Sequence, residues 1–410
     1  MNALPLQSIG GLTSGKVLEL FAGPSATSGV RVTQETALGV SAWYASVRVI
    51  SESIAVLPLF PFERLEPRGR RQATEHPLYR LLHEAPNPWM TSYQFREMMG
   101  GHLCTRGNFF AEIERDGRGR PVALWPLRPD HMRKPELSAS GELIYSYQLP
   151  DGGMVDLPQN RVLHVRGISD DGLWGYAPLT LHRETVGHAI ATQEYGARFF
   201  AQGARPGGVL QSPTRLTPES SERMAHSWVS AHQGLSNAHR IAVLEEGVTW
   251  ASTGMSNEDA EYLDSRKFSV AEIARIFRIP PHMIGDVDRS TSWGTGIEQM
   301  TIGFVQFTLM PWLTRIEQQM QKDLLTPAEK SRFYIKHVVT GLLRGDAASR
   351  AAFYTALWDR NVFSANDIRD FEDLNPIPEA DGGEDYHYPS NFAIAGQEVP
   401  VTNPGPAVPA

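Results

Sequence analysis

The chain has 410 residues, 41% hydrophobic and 20% charged. That is an ordinary globular composition with a sizeable core, and its length suits two or three domains or one elaborate body. Its formal net charge of −8 argues against a module built to grip DNA phosphates, its single cysteine, Cys104, excludes an internal disulfide, and its longest apolar run, 54–62, is broken by Pro58 and Pro61 and falls far short of the roughly 20 residues of a membrane span.

Residues 1–37 are rich in Gly, Ser and Thr with weak periodicity, and read as a mobile arm without the basic-then-apolar pattern of a signal peptide. "SAWYASVRVISESIAVLPL" places Trp43, Val47, Ile50 and Ile54 on one helical face. "LFPFERLEPRGRRQA" reads as strand, turn, strand, and "HPLYRLLHEAPNP" as a short helix closed by Pro86 and Pro88. A second helix, "TSYQFREMMGGHLCTRG", has Thr91 or Ser92 as its N-cap. Strands follow at "NFFAEIERD" and "PVALWPLRP", joined through Asp116-Gly117, then near "LIYSYQL" and "RVLHVRGI". These elements make an α+β body.

The middle changes character. One long helix is expected from about 178 to 202, ended by Gly203 and Pro206. A strand at "GGVLQSP", a helix capped by Thr217 with Pro218 at its first position, and a hairpin around Glu246-Gly247 follow. A second long helix is expected over 257–279, capped by Ser256 with Asp259 at N3. From about 297 to 325 a third carries Phe304, Phe307, Leu313, Ile316 and Met320 on its apolar face, with a kink at Pro311. "RFYIKHVV" is a strand, and capped helices start at Asp346 and Ser364. The end, 376–410, holds seven prolines and the acids Glu379, Asp381, Glu384 and Asp385, and reads as disordered.

Chemistry-bearing motifs are scarce. Gly10 to Val17 nearly matches a phosphate-binding loop, but Val17 stands where a Ser or Thr would hold magnesium, and no buried strand precedes it. The pairs His182/His188 and His226/His232 lack the i, i+4 spacing of two imidazoles on one helix face. Asp170-Asp171 sits in a Gly-rich turn. Cys104 reads as a packed thiol. No catalytic, cofactor or metal site is expected.

"AEIARIFRIPPHMIGDVDRSTSWGTG", 271–296, opens like a helix-turn-helix. A DNA-binding regulator using 271–286 is the alternative reading. It needs a recognition helix, yet only His282, Met283 and Ile284 follow Pro281 before Gly285, and Asp286 and Asp288 would repel phosphates. The other reading is a long helix stopped at Pro280-Pro281 and handed to a loop.

"HPLYRLLHEAPNPWMTSYQFREMM", "GNFFAEIERDGRGRPVALWPLRPD", "YGARFFAQGARPGGVL", "FSVAEIARIFRIPPHMIGD" and "FTLMPWLTRIEQ", in this order, resemble segments of the phage portal protein family over about residues 38–380. The resemblance implies a portal-like α+β fold. Residues 38–175 and 297–345 would form the wing, the latter including the kinked helix. Residues 176–203 and 255–281 would be stem helices around a clip at 204–254. Residues 282–296 would be the tunnel loop, 346–375 the crown, and 376–410 a tail without counterpart.

It also implies a non-enzymatic homo-oligomeric ring, twelve-membered, at one capsid vertex of a virion, built in the bacterial cytoplasm. Double-stranded DNA would pass through it without sequence specificity. His282, Asp286, Asp288, Arg289, Ser290, Thr291, Ser292 and Trp293 would line the channel. The clip, with Arg215 and Glu222, would dock the terminase large subunit and later head-tail adaptors, and the wing would meet the major capsid protein or scaffold. No membrane takes part.

Overall fold

The computed structural model describes residues 26–66, 69–201, 208–213, 215–232, 248–252, 257–286, 295–339, 347–372 and 374–386. They divide into two compact units, at Val338/Val339.

The first unit opens with α1 (Gln34–Leu38) and α2 (Ser41–Val56). Part of the expected mobile arm is therefore folded. Thr33 caps α1 in a capping box, and the Thr27 amide donates to Glu184 at 2.8 Å. Strands β1 (Leu59–Arg64) and β2 (Arg70–Gln72) pair antiparallel, with β11 (Phe333–His337) on the other side of β1. Helix α3 (Pro77–Tyr79) runs on into a π turn, Arg80–Glu84. Helix α4 (Ser92–Arg106) has Thr91 as its N-cap.

The second sheet has the order β4-β3-β8: β3 is Asn108–Arg115, β4 Pro121–Leu127 and β8 Val162–Arg166. A third joins β5 (Glu136–Leu137), β6 (Leu143–Gln148) and β7 (Met154–Pro158). Strands β5 and β7 were missed in sequence because they are short and largely exposed, without the apolar alternation of a half-buried strand. Apolar faces of α2, α4 and β3 meet in the core, where Trp43, Ile50, Ile54, Met99, Leu103 and Phe109 are almost fully buried. Helices α2 and α4 approach so closely that a Cβ at Gly100 would stand 2.7 Å from the Ser51 Cα.

The expected single helix over 178–202 is two: α5 (Pro178–Leu181) and α6 (Arg183–Ala201), broken at His182, where φ is −107° and ψ 25°. After α6, β9 (Gly208–Gln211) pairs antiparallel with β10 (Thr249–Ser252). The hairpin expected around Glu246-Gly247 has its turn and first arm outside the described residues. Between these strands lies α7 (Pro218–His232), and α8 (Asn257–Phe277) follows them and packs along α6. Ser256, the expected cap of α8, is also outside the described residues.

The kinked helix is α9 (Thr295–Gly303), a π turn over Phe304–Leu309, and α10 (Met310–Leu324). Pro311 sits at the start of α10, and the widened turn before it accommodates the missing amide and the bulk of the ring. That turn carries more residues per revolution, so it shifts the apolar face. Phe304, Leu309, Leu313, Ile316 and Met320 are buried, whereas Phe307, expected on that face, is exposed. Helix α10 packs on β8 and β11.

The second unit contains α11 (Ala347–Trp358) and α12 (Ala365–Phe371). Ser364 caps α12 in a capping box with Asp367, as expected, and Asp346 is outside the described residues. The start of the expected disordered tail, 376–386, is folded. A 3-10 turn covers Glu379–Asp381, and Asn366 Nδ2 donates to the Ile377 carbonyl at 2.9 Å.

Candidate functional site

The segment singled out by its prolines begins at the end of α8. Arg278 adopts a left-handed conformation, φ 55°, at the place where a helix commonly ends on glycine. The Ile279 amide then donates back to the Ala274 carbonyl at 3.0 Å. The Arg278 carbonyl accepts the Thr308 hydroxyl at 2.7 Å, tying this helix end to the π turn. Phe277 meets the buried Trp43 edge-on at 4.9 Å, so the last turn is anchored in the core.

Pro281 then opens one 3-10 turn, Pro281–Ile284. Gly285 closes it at φ 83°, and the Asp286 amide donates to the Pro281 carbonyl at 3.0 Å. His282 and Asp286 are thereby brought onto a single turn. His282 is half-buried, its Nδ1 shielded without a hydrogen-bond partner among the described residues. Asp288, Arg289, Ser290, Thr291, Ser292 and Trp293 lie outside the described residues. A recognition helix must be long enough to lie in a DNA groove, and this turn is four residues long, so 271–286 is no helix-turn-helix.

Arg215 and Glu222 are both exposed. Thr217 caps α7 through the Ser220 amide at 3.3 Å, and Glu222 lies in the helix it caps. The structure places these two on the piece between α6 and α8, apart in sequence from the turn at 281–286.

The body is braced by a chain of polar groups that runs from the Arg166 guanidinium to a neutral imidazole and an asparagine. Arg166 donates to the Tyr145 hydroxyl at 3.0 Å, and that hydroxyl lies 3.2 Å from His164 Nδ1. His164 Nε2 is 3.0 Å from Asn108 Oδ1, which also accepts the Gly175 amide at 2.8 Å. The chain works with a neutral imidazole: the tyrosine donates to Nδ1, and Nε2–H donates to the asparagine. Burial holds the His164 pKa well below its ordinary value and pushes the Tyr145 phenol up to about 12. Sequence reasoning missed this chain. Its only signal was Asn108 and His164, polar residues in otherwise apolar strands.

The described residues that catalysis would draw on serve the fold. No group of three His, Cys, Asp or Glu that could hold a metal occurs among the described residues. Cys104 is fully buried, which pushes its thiol pKa far up, so it is no nucleophile. Asp171 serves its turn: it accepts the Leu173 and Trp174 amides at 2.8 and 3.1 Å and meets Lys134 Nζ at 2.6 Å. These contacts, Lys134 first, hold its carboxyl below the usual range. The near-miss phosphate loop at 10–17 is outside the described residues.

Residues 41–373 match the family model described as phage portal protein. The chain belongs to the phage portal protein family. The portal protein of Enterobacteria phage HK97 is 35% identical over 352 residues, covering 85% of this chain and 82% of the relative. The probable portal protein of Streptomyces phage phiC31 is 35% identical over 386 residues, 92% and 83%. Among solved structures, the neck of a native gene transfer agent particle computed with C12 symmetry has a TM-score of 0.56 at 20% identity, covering 89% of this chain and 99% of that one. At that identity the likeness bears on the fold. In this portal-family chain the match runs across α6, the β9–β10 piece, α8 and the double proline, and it ends before the acidic residues of 376–386.

Proposed function

We propose that this chain is the portal subunit of a phage or gene-transfer-agent particle, a structural protein and not an enzyme. It assembles into a closed homo-oligomeric ring of twelve in the particle neck, through which double-stranded DNA enters and leaves. The observation that carries this reading is the family match over residues 41–373.

The geometry supports it. Helices α6 and α8 lie side by side, and with 19 and 21 residues they run about 28 and 31 Å. Repeated around an axis, such pairs would wall a channel as the stem. The piece between them, with Arg215 and Glu222, would project at one end as the clip and dock the terminase large subunit, then head-tail adaptors. The turn at Pro281–Ile284 would lead into the tunnel loop, placing His282, Asp286, Asp288, Arg289, Ser290, Thr291, Ser292 and Trp293 on the channel. The wing would meet the major capsid protein or scaffold. Assembly in the bacterial cytoplasm would precede residence in the virion.

A closed ring requires heterologous interfaces whose rotation returns to the start. Native mass spectrometry and electron micrographs of the purified protein test this directly, and closed rings are the expected result. A monomer or dimer at every concentration would end the ring reading. The same preparation should show no ATP turnover above background. Turnover abolished by Lys16→Ala would end the structural-protein reading.

A further inference from the structure

The kinked helix crosses the end of α8 beside a cleft of about 270 Å³, lined by Leu103, Ile276, Phe277, Pro311, Trp312 and Arg315. A shallower groove along α10 continues from it and carries Arg166, Arg315 and Lys322 but no carboxylate among its lining residues. Arg315 belongs to both. It is half-buried and lies over the Trp312 ring, 5.2 Å from its centroid. Burial draws its pKa down, and no acid among the described residues offsets it.

The acids nearby are engaged elsewhere. Asp171 is held by Lys134, Asp170 by Tyr176, and Asp323 by Gln319 at 2.6 Å. A half-desolvated cation without a counter-charge is costly to keep. Around it the apolar rim is open: Ile168 is 70% exposed, Phe307 64% and Leu181 58%. An arginine on an aromatic ring, framed by exposed apolar side chains, has the composition of a protein–protein contact centre.

We propose that this cleft is the socket for an acidic stretch of a second copy of this chain, so that Arg315 forms an ion pair across the subunit boundary of the ring. The proposal rests on the ring reading above. The charges are complementary in sign: no described lining residue of the socket is a carboxylate, while Asp and Glu outnumber Lys and Arg in the chain by 46 to 38. Closed rings need two unlike patches per subunit, and this cleft is the cationic one. A nucleic-acid phosphate would satisfy the same charge, but it would leave Ile168, Phe307 and Leu181 without an apolar partner.

The test compares wild type, Arg315→Glu and Arg315→Lys by native mass spectrometry across protein concentration. Arg315→Glu should raise the concentration at which half the rings dissociate at least tenfold, with circular dichroism unchanged, and Arg315→Lys should restore most of the loss. A second readout is maleimide labelling of Ile168→Cys, since Cys104 is fully buried and silent. Labelling in the ring should be at least tenfold slower than in monomer held below the assembly concentration. Rings of Arg315→Glu as stable as wild type, or labelling at the monomer rate in the ring, would overturn the socket while leaving the ring intact. Protection that appears only when duplex DNA is added would overturn it in favour of a phosphate ligand. A wild type that never assembles would overturn the socket and the ring together.

Discussion

Gly107 closes α4 in the left-handed region, φ 70°, while its own backbone is boxed in. A Cβ there would stand 1.8 Å from the Tyr176 carbonyl oxygen, and the Gly107 carbonyl accepts the Gly167 amide at 2.7 Å. Both constraints demand glycine. Gly107→Ala should cost about 2–4 kcal/mol, read as a fall in thermal midpoint of the purified protein. Arg278 is the opposite case, a side chain held at φ 55° where glycine pays no steric penalty. Arg278→Gly should stabilise by about 1 kcal/mol; a lower midpoint would mean that its side chain holds more than the backbone suggests.

The buried imidazoles give a pH signature. Burial holds His102 down at about 4 and His164 well below its ordinary value. In the unfolded chain both titrate near 6.5. Between these values the unfolded state binds more protons, so stability falls as pH drops from about 6.5 towards 4. Carboxylates such as Glu63, held low by Arg71 and then Arg332, add their loss only at lower pH. A thermal midpoint that declines between pH 6.5 and 5 is expected. A flat profile there would show that these imidazoles are charged in the fold.

At the scale of elements, the joint between α8 and the kinked helix depends on the Thr308 hydroxyl reaching the Arg278 carbonyl. Thr308→Val keeps the shape and removes that hydrogen bond. It should cost about 1 kcal/mol and speed amide exchange through 279–286, leaving the β3–β4 sheet protected. Exchange unchanged in that segment would show that Phe277 against Trp43 suffices to hold it.

Much of this joint was legible beforehand. Pro280 and Pro281 end a helix in any context, and Pro311 marks a disturbance in another, because a proline lacks the amide and crowds the turn before it. The π turn itself was not legible, since its wide hydrogen bonding is set by packing. Reading a regular 3.6 period across it placed Phe307 in the core. His182 likewise interrupts a pattern that looked continuous, because neither a proline nor a glycine stands there. Pro281 and Gly285 marked the start and close of the short turn, while Arg315 escaped notice: one arginine on an amphipathic helix looks like any other until the described residues around it are found to hold no acid paired with it.

For the molecule as a whole, the net charge of −8 bears on how the proposed channel would treat DNA. A channel that passes any sequence cannot read bases, and it cannot hold many phosphates either, since each contact adds salt-sensitive affinity. The candidate loop, 286–295, has a single cation, Arg289, against Asp286 and Asp288, with Ser290, Thr291 and Ser292 as neutral donors. Because each Arg289 of the proposed ring is outnumbered by its own Asp286 and Asp288, duplex DNA should bind purified rings weakly, and the logarithm of affinity should fall with the logarithm of salt with a slope shallower than about −2, equivalent to one or two net phosphate contacts. Arg289→Ala should change DNA content of assembled particles little. Deleting several residues from 287–294 should leave rings and empty shells intact but lower the DNA packaged or retained. Particles that fill and hold full-length genomes with the shortened loop would remove the segment from the channel, and a salt slope as steep as about −6 would mean that the ring grips DNA through a surface other than this loop.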